Sequence, residues 1–196
     1  MTKEHPKWFQ SWFDTSYYHI LYKHRDYKEA EAFIKNIVTY LNLNKADSIL
    51  DLACGKGRHS NTLANLGMNV LGLDLSENSI SYAIKNAHNG ATFKVHDMRD
   101  ALPVQNMDYV FNLFTSFGYF EKEKTDLTIL QNQFEALKKG GIFVQDYLNA
   151  ESIKSALPQQ ELIKKPKNTY SIKKYIEDGS IKKQITFVKD GIDQTY

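Results

Sequence analysis

The chain has 196 residues, 42% of them hydrophobic and 24% charged, with a formal net charge of +2. That length predicts one domain with a sizeable core, and the near balance of charge argues against nucleic acid or an anionic membrane as the partner. No run approaches the ~18 apolar residues of a membrane span, residues 1–6 hold no apolar signal-peptide core, and a single cysteine excludes an internal disulfide and points to the cytoplasm.

Aromatic residues crowd the N-terminus: Trp8, Phe9, Trp12, Phe13, Tyr17, Tyr18 and Tyr22. Asp26 and Glu29 have capping-box spacing ahead of a helix in which Ala30, Phe33, Ile34, Ile37, Val38 and Leu41 recur at the helical period. Ser48–Leu52 reads as a strand that runs into a turn of the pattern acid-x-Ala-x-Gly-x-Gly, carried by Asp51, Ala53, Gly55 and Gly57. A second strand over Asn69–Leu73 ends at Asp74, 23 positions after Asp51, close to the roughly 20-residue spacing at which an acid reaches ribose hydroxyls. Ser76 predicts the N-cap of a helix to about Asn86, and Asn89-Gly90 turns the chain. Thr92–His96 and Met107–Leu113 are the next strands. Leu127, Leu130, Phe134 and Leu137 form an apolar stripe that predicts a helix stopping at Gly140-Gly141, and Ile142–Leu148 is the fifth strand.

Short apolar runs separated by helices predict an α/β architecture. The expected core, residues 1–150, is a Rossmann-like, doubly wound, mostly parallel sheet with helices on both faces. Beyond it, Tyr170, Ile172 and Ile176 alternate with polar neighbours, Glu177–Ser180 turns, and Ile181, Ile185 and Phe187 alternate again. Residues 151–196 therefore read as a C-terminal antiparallel hairpin arm, with a third strand near Thr195 after Asp190-Gly191. Lys164-Lys165-Pro166-Lys167 reads as a solvated loop. Residues 1–196 are expected to form a single domain.

Glycine at 55 and 57 permits a tight turn and a close approach of the backbone to a ligand. A dinucleotide-binding turn would carry a third glycine where this chain has Ser60, and no P-loop is present. A carboxylate at the mouth of the turn, Asp51, repels a pyrophosphate and attracts an ammonium, so a nucleoside with an amino-acid tail fits better than NAD or ATP. On these residues the chain resembles the class I S-adenosylmethionine-dependent methyltransferases, whose first motif reads acid-x-Gly-x-Gly-x-Gly. Ala53 replaces the first of those glycines. The resemblance covers roughly residues 15–150 and implies S-adenosylmethionine as cofactor and S-adenosylhomocysteine as product. It implies that Asp51 and the backbone around Ala53, Gly55 and Gly57 hold the methionine end of the cofactor. Asp74 would take the ribose hydroxyls with Leu75 and Ser76 beside it, and Asp97 and Met98 would meet the adenine. Arg58 would face the cofactor carboxylate or solvent.

The segment Asn112–Phe120 follows the fourth strand, at the carboxyl end of the sheet where ligands sit, and brings Asn112 and Phe114 to the cofactor. Its Phe-Thr-Ser-Phe-Gly-Tyr is similar to the corresponding segment of small-molecule N-methyltransferases of glycine and amino-sugar type. The expected activity is methyl transfer to a small-molecule acceptor, nitrogen in preference to oxygen. Tyr119 and His96 are the candidates for accepting a proton, and neither is set apart by the sequence. Tyr18 and Tyr22 belong to an aromatic segment that either closes over the cofactor, with ring faces toward its sulfonium, or packs on the core. Cys54 reads as a small apolar filler, and His59 and His96 lack partners at metal-ligand spacing, so no metal is expected. The alternatives are an RNA or protein methyltransferase and a cofactor-binding module without activity. No nucleic-acid or membrane partner is expected, and the sequence leaves the oligomeric state, a homodimer included, open. Because the chain stops soon after the hairpin, a longer natural protein is expected.

Overall fold

The central apolar runs form strands because both of their faces find cover. The computed structural model describes residues 8–23, 27–120, 122–166 and 168–196. In chain order the elements are α1 (Trp8–Phe13), α2 (Ser16–Leu21), α3 (Tyr27–Leu41), β1 (Ser48–Leu52), α4 (Arg58–Asn65), β2 (Asn69–Asp74) and α5 (Glu77–Lys85). They continue with β3 (Ala91–Val95), β4 (Met107–Asn112), α6 (Glu123–Ala136), β5 (Leu137–Gln145) and α7 (Ala150–Lys154). The last four are β6 (Gln159–Lys165), β7 (Asn168–Glu177), β8 (Ser180–Lys189) and β9 (Ile192–Thr195). The chain divides into two compact units, Arg25–Tyr147 and Met1–His24 with Leu148–Tyr196.

The unit Arg25–Tyr147 holds a five-stranded sheet in the order β3-β2-β1-β4-β5, every neighbouring pair parallel. In β1, Ile49, Leu50 and Leu52 are all buried, since helices cover both faces. On one face Ile49, Phe93 and Phe111 pack with Ile34 of α3 and Leu63 of α4. On the other, Leu50, Leu52, Leu73 and Val110 pack with Ala136 of α6. This is the Rossmann-like sheet that strand–helix alternation predicts. α3 buries Ala30 and Ile34 on the face its period marks, while the capping role expected of Asp26 lies outside the described residues.

α6 departs from its apolar stripe. Leu127 is 59% exposed and Phe134 71% exposed, whereas Ile129, Asn132, Gln133 and Ala136 are buried. Asn132 is drawn inward because its Nδ2 donates to the carbonyls of Met98 and Asp100, at 3.1 and 2.9 Å. The helix also ends at Ala136 rather than at Gly140-Gly141, because Leu137 turns extended (φ −76°, ψ 146°) and enters β5 directly. The glycines instead sit where the pairing register slips, between Met107↔Leu137 and Tyr109↔Ile142. They mark a bulge, with Gly140 at φ 80°.

In the other unit the C-terminal arm is a four-stranded antiparallel sheet, β6-β7-β8-β9. β7 and β8 form the expected hairpin, paired from Glu177↔Ser180 to Ser171↔Thr186. β6 is an added strand, and Lys164 and Lys165 are its last residues rather than part of a loop. α1 and α2 pack their aromatic residues in this same unit: Trp12 and Leu21 are buried with Tyr170, Ile172, Ile185 and Phe187. The Tyr17 ring stacks on Phe187 at 4.5 Å, and the Tyr170 hydroxyl donates to the Tyr17 carbonyl at 3.1 Å. Among the described residues no helix is long and apolar enough to cross a membrane.

Candidate functional site

β1 lies between β2 and β4, so the chain leaves β1 toward one side of the sheet and later returns to the other. The crevice at the carboxyl ends of β1 and β4 is the topological switch point, the place where open parallel sheets receive ligands. The sequence puts its glycine turn there. Ala53, Gly55 and Gly57 adopt φ of 62°, 55° and 76°. Gly57 is obligatory, since a Cβ on it would stand 2.6 Å from the Phe93 ring. Gly55 differs: a Cβ there would meet nothing within 4 Å, so its backbone borders open space that a ligand can occupy. Ala53 accepts the left-handed conformation at a cost of order 1 kcal/mol.

Two carboxylates hold this turn. Asp74, the last residue of β2, accepts from the Gly55 N–H through Oδ2 and from the Ser76 N–H through Oδ1, both at 2.8 Å. Ser76 caps α5 by accepting from the Ser79 N–H at 3.0 Å, and Leu75 lies half-buried between them. Asp51 does not stand open at the mouth of the turn. It is 1% exposed and accepts from the Ser60 hydroxyl at 2.5 Å and from the Ser60 backbone. Burial raises its pKa to about 6, with the Asp74 charge adding to the rise and the Ser60 bonds opposing it. Ser60, read from sequence only as a missing glycine, is thus the partner that lets a carboxylate sit under the turn.

The residues after β3 are engaged within the protein itself. Burial raises the Asp97 pKa, but hydrogen bonds from Arg99 outweigh it and hold the carboxyl below its ordinary value. Arg99 Nε lies 2.9 and 3.0 Å from its two oxygens, and Arg99 Nη2 pairs with it as well. Met98 packs onto the core around Leu50, Leu52 and Val110. His96 donates its N–H to the Asp74 carbonyl at 2.9 Å, and its buried Nε2 has no hydrogen-bond partner among the described residues. After β4, Asn112 is fully buried, and its Oδ1 likewise accepts no hydrogen bond there. The Phe114 ring carries the Arg58 guanidinium 4.4 Å from its centroid and the His59 ring at 4.8 Å. Tyr119 is half-buried in the same segment.

Tyr18 and Tyr22 belong to the unit Met1–His24 with Leu148–Tyr196. There Tyr18 packs edge-on against Trp12 and Phe13, and the Tyr22 hydroxyl accepts from Lys183 Nζ at 2.6 Å. Burial pushes the Cys54 thiol well above its ordinary pKa, so it serves as a neutral filler beneath Gly72. Among the described residues no group of three or more His, Cys, Asp or Glu could hold a metal ion.

A parallel sheet with an acid-and-glycine turn at its switch point and an acid ending the next strand defines a nucleoside-binding Rossmann-like domain. The sequence pattern of the methyltransferase-domain family matches residues 43–190, and the chain belongs to that family. S-adenosylmethionine is the cofactor of such a domain. The residues present fit it: an open backbone at Gly55, a buried carboxylate at Asp51, and an unsatisfied acceptor at Asn112. The chain is 30% identical over 120 residues to a Streptomyces venezuelae dTDP-3-amino-3,4,6-trideoxy-α-D-glucopyranose N,N-dimethyltransferase, covering 61% of this chain and 50% of that protein. It is 27% identical to a ubiquinone biosynthesis O-methyltransferase of Pseudomonas fluorescens, covering 76% of this chain and 68% of that one. It shares its fold with the crystal structure of an S-adenosylmethionine-dependent methyltransferase from Clostridium acetobutylicum, at a TM-score of 0.71 and 23% identity, over 92% of this chain and 77% of that one. The chain spans about half the length of several of the curated relatives it matches.

Proposed function

We propose that this chain transfers a methyl group from S-adenosylmethionine to a small-molecule acceptor, with nitrogen preferred over oxygen. The observation that carries the reading is the turn itself, where Asp51 and Asp74 flank a Gly55 backbone that borders open space. Asp51, Ala53, Gly55 and Gly57 hold the methionine end, with Arg58 and Phe114 beside it. Asp74, Leu75 and Ser76 take the ribose, and Asp97 and Met98 border the adenine. The cofactor, when bound, supplies a methyl group already activated on a sulfonium. The chain's own work is therefore to orient the acceptor, to exclude water and to receive one proton. His96 Nε2 and the Tyr119 hydroxyl are the proposed proton acceptors, and the buried Asn112 Oδ1 is placed to accept from an N–H donor. The nitrogen preference draws support from the Streptomyces relative, which is named as an N,N-dimethyltransferase. The small net charge of +2 supports a metabolite rather than RNA.

The test is incubation of the full chain with methyl-labelled S-adenosylmethionine and a metabolite extract. Label in a small product carrying a new N-methyl group is the expected result. Label in RNA or protein, or binding without turnover, would overturn this reading in favour of a macromolecular substrate or a cofactor-binding module.

A further inference from the structure

The turn after β4 is strained, and its residue types do not account for it. Phe114 and Thr115 both adopt a φ of 59°. For a β-branched residue this left-handed region is a true outlier, and such a conformation persists only where the surroundings over-determine it. An Asn-Gly pair would make a left-handed turn without that penalty, but it would present no aromatic ring.

Asp146 makes three of the hydrogen bonds that hold this turn. Asp146, directly after β5, accepts from the Phe114 N–H through Oδ2 at 3.0 Å. Its main-chain carbonyl accepts from the Thr115 N–H at 3.1 Å, and its own N–H donates to the Asn112 carbonyl at 3.0 Å. Within the turn, Ser116 Oγ donates to the Leu113 carbonyl at 2.9 Å. The neighbour of Asp146 seals the far end, since a Cβ on Gly118 would stand 2.7 Å from the Tyr147 hydroxyl. What the turn achieves is the placement of one ring. Phe114 lies against Arg58 and His59, the first residues of α4 after Gly57.

We propose that Asp146 is a positioning residue of the cofactor site. It holds the left-handed Phe114–Thr115 turn and thereby fixes the Phe114 ring against the first turn of α4, at the methionine end of the cofactor. The effect on cofactor affinity rests on the function proposed above, whereas the clamp on the turn does not. A carboxylate suits the role because a hydrogen bond to a charged acceptor is about twice as strong as a neutral one.

The full chain and its D146A, D146N and D146A/T115G variants test this in two measurements: residue-resolved amide exchange without ligand, and calorimetric titration with S-adenosylhomocysteine. D146A is expected to lose exchange protection at Phe114 and Thr115 and to bind S-adenosylhomocysteine about tenfold more weakly. D146N, which keeps an acceptor oxygen, should lie nearer the parent. Adding T115G to D146A should recover affinity, because glycine adopts positive φ freely. Unchanged protection and affinity in D146A, or no recovery on adding T115G, would overturn the proposal. Should D146A not fold, D146N decides: a partial loss of protection at Phe114 and of affinity, recovered on adding T115G, upholds the proposal, and values equal to the parent's overturn it. If the parent protein takes up no S-adenosylhomocysteine, the cofactor reading fails by itself. The exchange data then still decide the clamp: lost protection in D146A upholds it, and retained protection sinks it.

Discussion

A carboxylate buried beneath the glycine turn sets a pH dependence in this molecule. Asp51 ionises in the folded protein at about 6 against an ordinary value of 3.8, chiefly because burial penalises the charge. The folded state therefore keeps its proton between those values while the unfolded chain loses it. As pH rises through that window the free protein should lose about 3 kcal/mol of stability, and no more above it. Ligand affinity runs the opposite way, since an ammonium pairs only with the ionised form. Affinity for S-adenosylhomocysteine should fall by about tenfold per pH unit below about 6, and D51N should bind more weakly with that dependence gone. A flat profile in the parent protein would show that Asp51 does not face the amino group. The grouping of Asp51, Gly55, Gly57 and Asp74 at one turn was readable in the sequence, because an apolar run, two glycines and the spacing of two acids place them there; the burial of Asp51 beneath that turn was not. Ser60 and Asp146 were not, because each acts through a hydrogen bond whose partner only the fold brings near. Asp146 did leave a trace: like Asp74, it is an acid closing an apolar run.

At the scale of elements, periodicity succeeded where burial follows hydrophobicity and failed where hydrogen bonds decide it. β1, β2 and the turn between them follow directly from apolar runs and glycines. α6 does not, because it buries Asn132 and Gln133 and leaves Leu127 and Phe134 exposed. The two faces make opposite predictions. Ile129→Ala removes a fully buried side chain and should cost about 2–5 kcal/mol, whereas Phe134→Ser should change stability by only about 0.5 kcal/mol. Urea midpoints at constant slope measure both, and the reverse order would contradict the observed orientation of the helix. β6 escaped notice for a related reason: most of it is exposed, so no alternation marks it. The aromatic N-terminus was read with two outcomes open, and its rings form the core of the unit containing β7 and β8.

For the whole molecule, the parallel order β3-β2-β1-β4-β5 places a switch point at one acid-and-glycine turn, and the methyltransferase-domain family match over residues 43–190 agrees with what that turn is built to hold. In the proposed function Asp51 and Asp74 select a zwitterionic sulfur nucleoside over phosphate-bearing nucleotides. Calorimetric titration of the full chain with S-adenosylhomocysteine, NADH and ATP tests it most directly. Saturable binding of S-adenosylhomocysteine, lost in D74A, with no heat from NADH or ATP, is the predicted result. Saturation by NADH or ATP with no heat from S-adenosylhomocysteine would contradict it.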